Sequence, residues 1–431
     1  MATQFASGVG RAVEFSDLRR RLLYTLGMLV VFRVGAHIPT PGVNVAALHQ
    51  LFSANNDTFF GLLNLFAGGA LAVFAVFAMS VIPYVNASII MQLLTLVIPQ
   101  VEEWSKEGQE GQKKINQWTR YGTVALGLVQ ATALAFFLRD NGVLLTANLW
   151  NMGLIVLVLT AGTTFLMWIG EQMTEYGIGN GISLLITVGI LSALPTGLRK
   201  IVSLLAAGSV SWFNAIIYLV LTAALLAAIV YFTLAYRRIT VQYARRVVGR
   251  RVYGGQSSYL PIKVNQAGVI PVIFAVSLLI VPITLVSFFH VGWLSPVANF
   301  LNSGRGLSEL VYNLVFAALI IAFTFFYTPI IWNPVDVADN IKKAGGFIPG
   351  IRPGRPTAEY LSRVLLRVTV LGAIFLAAVA VLPVIFTSAS GIGRAGEFGG
   401  TALLIVVAVA IDTMQQIEGH LLMRRYQGFI R

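Results

Sequence analysis

The chain contains no cysteine and very little charge. Of its 431 residues, 57% are hydrophobic and 11% are charged, and 17 acidic residues stand against 30 lysines and arginines. The absence of cysteine excludes disulfides, thiolate catalysis and zinc–thiolate sites. No soluble core could absorb so many apolar side chains, so the composition predicts a polytopic helical membrane protein.

Motifs of nucleotide and hydrolytic chemistry are also missing. No glycine is directly followed by lysine, which excludes a P-loop, and neither H-E-x-x-H nor G-x-S-x-G occurs. The histidines are dispersed and support neither a metal site nor a catalytic triad: His37, His49, His290 and His420. We therefore expect no enzyme activity and no cofactor.

Ten largely uncharged stretches are long enough to cross a bilayer, which requires about 20 apolar residues for roughly 30 Å of hydrocarbon. Their lengths favour helices over the short alternating strands of a barrel. No A-x-A site follows the first stretch, so we expect no cleavable signal peptide. The predicted spans are 22–38, 71–98, 120–138, 152–171, 181–198, 213–236, 267–289, 309–332, 364–385 and 399–420.

Basic residues fix the predicted orientation. With a cytosolic N-terminus, 24 of the 30 lysines and arginines fall in cytosolic segments or at the cytosolic ends of spans, five fall outside, and Arg33 lies within the first span. Because cytosolic loops carry the excess of positive charge, both termini are predicted to be cytosolic.

Ten spans divide into five and five. The predicted N-terminal half is 1–198, the linking segment is 199–212, and the C-terminal half is 213–431 with basic cytosolic loops at 237–263 and 333–363. Since each half has an odd number of spans, the second enters the membrane from the opposite side, and any structural repeat must be inverted.

Residues 58–101 lack charge for 44 positions, and Gly68–Gly69 divide this stretch. Ahead of the glycines, Asp57 can cap a short helix. About ten residues rise only some 15 Å, so this helix cannot span the membrane. Spacing alone leaves open an interfacial helix, which it favours, or a re-entrant plug. The apolar face of this helix would consist of Phe59, Leu62, Leu63 and Phe66.

The second predicted span contains a proline and several polar residues. Pro83 removes a backbone hydrogen bond and predicts a kink. Asn86 adds a polar group at depth. Polar side chains there normally bond to a neighbouring helix, and lining an aqueous path is the alternative. One helix face changes from aliphatic to polar through Val81, Val85, Ser88 and Gln92.

Two charges inside spans and one glycine-rich turn are expected to have structural roles and no direct part in the function. Arg33 and Asp412 are predicted to be structural, because ion-coupled transporters place several ionisable groups near the midplane. The turn at Gly177–Gly181 follows Glu171 and Glu175 without a basic partner. We expect it to be a tight cytosolic connection between helices and not a phosphate-binding loop.

The loop 237–263 contains seven basic residues and no acidic residue. Topology needs only a few such charges, and contact with anionic lipid would explain them only in part. We therefore predict a docking surface for a large acidic partner. The basic residues are Arg237, Arg238, Arg245, Arg246, Arg250, Arg251 and Lys263.

Several stretches together resemble the SecY family, the central subunits of the bacterial protein-conducting channel, from end to end. The most specific are Met79–Leu93 and Gly170–Ser183, which match the two signature regions of the family. Loop sequences at Gly249–Tyr253, Leu260–Asn265 and Pro349–Gly354 agree as well.

This resemblance implies an all-α polytopic protein with ten transmembrane helices in two inverted five-helix halves around a central pore. A plug at 58–69 would close the pore outside, which replaces the interfacial interpretation of that segment. An aliphatic ring would close its waist, formed by Val81, Val85, Ile186, Ile190, Ile273 and Ile405. A lateral gate between the second and seventh spans would include Pro83, Asn86, Ser88, Gln92, Pro271 and Ser277.

The resemblance also implies partners. They are the SecA motor, the ribosome through its RNA phosphates, membrane subunits similar to SecE and SecG, signal sequences and nascent polypeptides, and the lipid of a bacterial plasma membrane. The residues expected to hold cytosolic partners are Arg245, Arg246, Arg250, Arg251 and Arg352.

The expected function is a passive conduit, driven by its partners, for unfolded secretory proteins and for membrane segments that leave sideways into lipid. A secondary transporter with inverted repeats is the alternative, although it requires coupled titratable sites that the spans barely provide. A scaffold that recruits ribosomes without conducting would need neither ring nor plug.

Overall fold

The computed structural model of the chain describes residues 16–54, 64–146, 148–243, 246–248, 251–253, 257–289, 296, 307–390 and 400–427. Each of the ten predicted spans overlaps a helix in these residues. The helices are α1 Ser16–Gly35, α2 Val45–Ala54, α3 Ile82–Val97, α4 Pro99–Lys106, α5 Gln109–Asp140, α6 Leu149–Tyr176, α7 Gly181–Ala206, α8 Trp212–Leu234, α9 Ile270–Phe289, α10 Leu307–Ile331, α11 Pro334–Lys343, α12 Arg355–Ser390 and α13 Gly400–Gln427.

The lengths of the helices confirm a multi-pass membrane protein. Among the described residues, seven helices are long and apolar enough to cross a bilayer, or eight when the bent pair Ile82–Thr95 and Pro99–Lys106 is taken as one span. That pair is bent by 98° at Ile98, which has an extended backbone. Helices α1 and α9 lie at the two remaining predicted spans.

The chain divides into two compact units. The first consists of Met1–Val202, Leu279–Glu309 and Val409–Arg431, and the second of Ser203–Leu278 and Leu310–Ala408. Helices α9 and α13 therefore each contribute residues to both units. The predicted boundaries of the two halves at 198 and 213 stay a prediction.

The second predicted span is helical only in its later part. Residues 67–81 form turns, and α3 begins at Ile82. Phe74 and Ser80 have φ values of 46° and 53°, which are uncommon for residues with a side chain. Pro83 lies in the first turn of α3, where its missing N–H is not needed. The predicted kink is therefore wrong, because this proline starts the helix.

The basic loop contains β-strands, which the all-helical prediction did not include. Strand β1 Tyr236–Tyr243 pairs antiparallel with β4 Ser257–Lys263, and Tyr236 lies opposite Lys263. Two short strands, β2 Arg246–Val248 and β3 Arg251–Tyr253, pair with each other inside this hairpin. On its other edge β1 pairs with β5 Gly346–Phe347, which follows α11.

The alternation of side chains in β1 places the charges outside. Arg237 and Arg238 are exposed, whereas Ile239 and Val241 are buried. The buried face packs on α11 and the first turns of α12. We name this cluster the cytosolic cluster after its predicted side of the membrane, and it consists of Ile239, Val241, Ile262, Ala338, Ile341, Ile348, Ala358, Leu361 and Leu365.

We expect Ile262→Ala to destabilise the cytosolic cluster by about 2–5 kcal/mol, because Ile262 is fully buried and truncation leaves a cavity. The hairpin should then open, and limited trypsin digestion should cut faster at the arginines of 237–263. Tyr259→Ala is the matched control, since Tyr259 on the same strand is 57% exposed. Equal cleavage of the two variants would contradict the role of this cluster.

Candidate functional site

The last residues of the predicted plug form a capped helix end. Residues 64–66 are helical, and Phe66 is buried. Gly68 and Gly69 then adopt φ values of 65° and 86°. The Gly69 N–H donates to the Asn64 carbonyl at 2.9 Å. A left-handed glycine pair of this kind ends a helix and satisfies its free carbonyls. The other predicted plug residues, Phe59, Leu62 and Leu63, lie outside the described residues.

Arg33 and Ser80 hold this helix end by donating to its carbonyls, and Ser192 lies beside it. Arg33 Nη1 donates to the Gly68 oxygen at 2.8 Å, and Ser192 Oγ lies 3.1 Å from the same oxygen. Ser80 Oγ donates to the Phe66 oxygen at 2.9 Å in a buried position. The arginine within the first span thus has a partner, which the sequence alone could not identify.

Helix α7 approaches the same segment through a glycine. A Cβ atom at Gly189 would lie 3.0 Å from the Phe66 oxygen and 3.3 Å from the Gly68 nitrogen. Such distances are tighter than most van der Waals contacts, so a larger residue here would displace the helix end or α7. Nothing in the sequence around Gly189 distinguished it from other helical glycines.

Four of the predicted ring residues lie in the first unit, close to this segment. Val81, Ile186 and Ile190 are buried, and Val85 is half-buried. The Val85 N–H donates to the Val81 carbonyl at 3.0 Å, so this pair is one helical turn apart, as are the two isoleucines of α7. Val81 directly follows Ser80, and Ile190 directly follows Gly189, the two residues that contact Phe66.

The other two predicted ring residues lie in the second unit. Ile405 is buried within α13, and Ile273 is half-buried near the start of α9. The closed ring of six residues stays a prediction.

The predicted gate residues of α3 have polar contacts within their own helix. Gln92 Nε2 donates to Ser88 Oγ at 3.4 Å, one turn away, and Asn86 is half-buried. The expected bond to a neighbouring helix is not seen for Gln92, whose buried Oε1 has no hydrogen-bond partner among the described residues. The amide nitrogen of Gln92 is thus bonded within its own helix, whereas its carbonyl oxygen is available to another group.

In α9, the gate residues occupy the beginning of the helix. Pro271 is buried in its first turn, where a proline is tolerated, and Ser277 is half-buried. As with α3, the proline sets the start of a helix.

The turn Gly177–Gly181 connects α6 to α7 as expected, and its backbone is bound by two other helices. Thr25 Oγ1 of α1 accepts from the Ile178 N–H at 3.1 Å, and Gln416 Oε1 of α13 accepts from the Gly179 N–H at 2.9 Å. Arg21 Nη1 also donates to the Gly177 oxygen at 3.3 Å. These N–H groups are occupied by side chains, which argues against a phosphate-binding loop. No sequence pattern indicates this junction, because its partners are more than 150 residues away.

Three of the predicted partner-binding arginines lie in described residues, two of them in the strands β2 and β3. Arg246 pairs with Tyr253 and Arg251 pairs with Val248 across β2 and β3. Arg352 is exposed between β5 and α12. Arg245 and Arg250 lie outside the described residues.

The protein is thus a polytopic helical membrane protein in which a capped helix end at Gly68–Gly69 is held by Arg33 and Ser80 and packs against Gly189. The SecY family model matches residues 75–414. The translocase subunit SecY of Halalkalibacterium halodurans is 49% identical over 98% of this chain and 99% of its own length. SecY of Mycobacterium tuberculosis is 46% identical over 96% of this chain and 97% of its own length. The chain belongs to the SecY family.

Solved channel structures have the same fold. A SecY structure, in which the plug domain stabilises the closed state and maintains a membrane seal, matches with a TM-score of 0.65 at 21% identity, covering 93% of this chain and 91% of that chain. Sec61 in the canine ribosome-channel complex matches with a TM-score of 0.62 at 20% identity over 93% and 91%. The ten-helix channel architecture expected from the sequence agrees with these neighbours.

We expect Thr25→Val to lower the free energy of unfolding by about 1–3 kcal/mol, because the buried Ile178 N–H would lose its acceptor. The measurement is the Tm of the purified protein in detergent. Thr132→Val is the control, since Thr132 Oγ1 donates to the Leu128 carbonyl of its own helix at an exposed position. If both variants melt at the same temperature, the junction at Ile178 contributes no stability.

Proposed function

We propose that unfolded polypeptides cross the membrane between the ring residues of this chain, and that the segment ending at Gly68 plugs the resting pore. The chain is a protein-conducting channel of the SecY family and not an enzyme. The ring and plug residues are assigned mainly from one observation, the contact of the end of the proposed plug with α7. Phe66 and Gly68 rest on Gly189, directly beside Ile190.

The proposed ring acts as a flexible seal. Its members are Val81, Val85, Ile186, Ile190, Ile273 and Ile405. Aliphatic side chains adjust their rotamers around a passing polypeptide and exclude water when it has left. An ion that entered a dry aliphatic constriction would lose its hydration shell without receiving new ligands, which is very unfavourable. A ring of this kind therefore passes protein and retains ions.

The proposed plug is 58–69. Its apolar positions are Phe59, Leu62, Leu63 and Phe66, and the burial of Phe66 supports this assignment. The capped end at Gly68–Gly69 allows the chain to turn back into the protein without leaving backbone groups unsatisfied, as irregular backbone at membrane depth requires.

The proposed lateral gate releases apolar segments into lipid. It uses Pro83, Asn86, Ser88, Gln92, Pro271 and Ser277. The available Oε1 of Gln92 is a polar group that an arriving backbone or side chain can satisfy. A segment of about 20 apolar residues then favours the hydrocarbon over an aqueous pore, and this partitioning drives its exit.

The cytosolic hairpin is proposed to dock the ribosome, with Arg245, Arg246, Arg250, Arg251 and Arg352 as contacts. Exposed arginines bind RNA phosphates, and such binding weakens as salt rises. The fold shared with Sec61 in a ribosome-channel complex supports this partner. The buried cluster below β1 holds the hairpin in place, and Arg237 and Arg238 of β1 are exposed.

Finer assignments follow from the family and the charge distribution. We place the chain in a bacterial plasma membrane with both termini cytosolic, because its positive charges follow the positive-inside rule and its curated relatives are bacterial. Subunits similar to SecE and SecG, and the SecA motor, complete the proposed complex. A secondary transporter is not favoured, since the spans offer few titratable groups.

The conduit is tested by a photo-crosslinking amino acid in place of Ile190, with a stalled secretory chain presented on ribosomes. We expect crosslinks to the nascent chain that disappear when its signal sequence is destroyed. The control carries the same probe at Leu219, which is 67% exposed on α8 and should not contact the nascent chain. No crosslink at Ile190 with ribosomes docked would favour a scaffold or a transporter.

Ribosome docking is tested by Arg251→Glu, which reverses a charge in β3. We expect weaker ribosome binding and a smaller dependence of binding on salt, because one phosphate contact is lost. Arg199→Glu provides the control, as Arg199 lies in a segment predicted to be outside the cell. Unchanged binding of the Arg251 variant at physiological salt would remove Arg251 from the docking surface.

A further inference from the structure

Arg33 binds the end of the plug through a charge-assisted hydrogen bond. An arginine within a membrane span is costly and normally finds a partner inside the protein. The partner of Arg33 is the Gly68 carbonyl, at 2.8 Å from Nη1. Hydrogen bonds from a charged donor are shorter and about twice as strong as neutral ones. This bond therefore ties the first span directly to the segment proposed to close the pore.

Ser192 contacts the same carbonyl but is not equivalent to Arg33. Its Oγ lies 3.1 Å from the Gly68 oxygen and 2.7 Å from the Gly189 oxygen. A serine hydroxyl has one proton and donates to one acceptor at a time. The shorter distance favours Gly189 within its own helix, so Arg33 is the principal donor to Gly68.

The two glycines at the plug end differ in their surroundings. A Cβ atom at Gly68 would lie 3.0 Å from the Cα of Gly189, whereas a Cβ at Gly69 would meet no described atom within 4 Å. Gly68 is therefore held against α7, whereas Gly69 has room for a side chain and is held through its N–H, which donates to the Asn64 carbonyl at 2.9 Å. The chain can turn at Gly69 once the contacts of Gly68 and the bonds that join Asn64 to Gly69 and to the Ala72 N–H are released.

The geometry points to Arg33 as a positioning residue that latches the plug in the closed channel through the Gly68 carbonyl. Opening breaks this bond, and the segment that ends at Gly68 turns about Gly69. The inference rests on the proposed plug at 58–69 and gives that plug a specific closing contact.

The latch is tested in the purified full complex, in planar bilayers without ribosome or substrate. Loss of a hydrogen bond to a charged group corresponds to about a tenfold to hundredfold shift in an equilibrium, so Arg33→Gln should raise the open probability by about that factor. Arg33→Lys retains the charge and a donor and should restore most of the closure. Ser192→Ala should give a smaller rise, and Arg139→Gln at the end of α5 should give none.

A second readout separates a latch from damage to the fold. Arg33→Gln should export a secretory protein with a destroyed signal sequence, while export of the intact precursor continues. A structural defect would reduce both. Gly189→Ala keeps Arg33 but places a methyl carbon 3.0 Å from the Phe66 oxygen, and should raise the same leak. If the Arg33 variant does not accumulate in cells, Gly189→Ala still tests whether the contact of the plug end with α7 keeps the channel closed.

Deletion of 58–67 decides whether Arg33 acts through the plug. In that background Arg33→Gln should add no further leak, because coupled residues are not additive. An equal additional leak would overturn the latch, as would a quiet Arg33→Gln channel. The crosslink at Ile190 distinguishes the two proposals. If the Arg33→Gln channel shows no leak but still crosslinks to the nascent chain, the conduit stands and the latch fails. If a channel with no other substitution gives no crosslink, the conduit itself fails.

Discussion

The structure depends on satisfying backbone hydrogen bonds where the chain is not helical within the membrane. Hydrocarbon offers no partner for a free N–H or C=O, so irregular backbone persists there only when protein surrounds it. Residues 64–81 meet this condition. The Thr40 N–H donates to the Phe74 carbonyl at 2.8 Å, and the Val76 N–H donates to the Ile38 carbonyl at 3.0 Å. The segment after α1 thus supplies backbone hydrogen-bond partners to this non-helical stretch.

The same constraint explains the scarcity of charge and the use of the few charges present. A chain with 11% charged residues places most of them in aqueous loops, where they set orientation and bind partners. Arg33, which lies in the first predicted span, donates to a carbonyl at the helix end before the second. Thr25 and Gln416 satisfy the turn before α7 by accepting from its N–H groups. Side chains from distant helices thus replace the solvent at each irregular connection.

Sequence alone predicts what depends on composition and misses what depends on tertiary contacts. The spans follow from hydropathy, and the tight connection at Gly177–Gly181 follows from its glycines. The kink predicted at Pro83 was wrong, since this proline differs from a kinking proline only in its distance from the helix start. The hairpin strands were missed because a run of arginines conceals the alternation of Ile239 and Val241. The partner of Arg33 lies 35 residues away and is a backbone atom, which no side-chain pattern reveals.

A gate that opens on demand must be held shut by contacts that its partners can overcome. Reversing a two-state population from 99:1 to 1:99 requires about 5.5 kcal/mol of differential binding. Each hydrogen bond at the end of the proposed plug contributes on the order of 1–3 kcal/mol at most, and Arg33 and Ser80 supply two of them. Because the acceptors are backbone carbonyls, these contacts need no particular side chain at the end of the proposed plug. The contacts proposed to close the pore are therefore few enough for the binding of a partner to overcome.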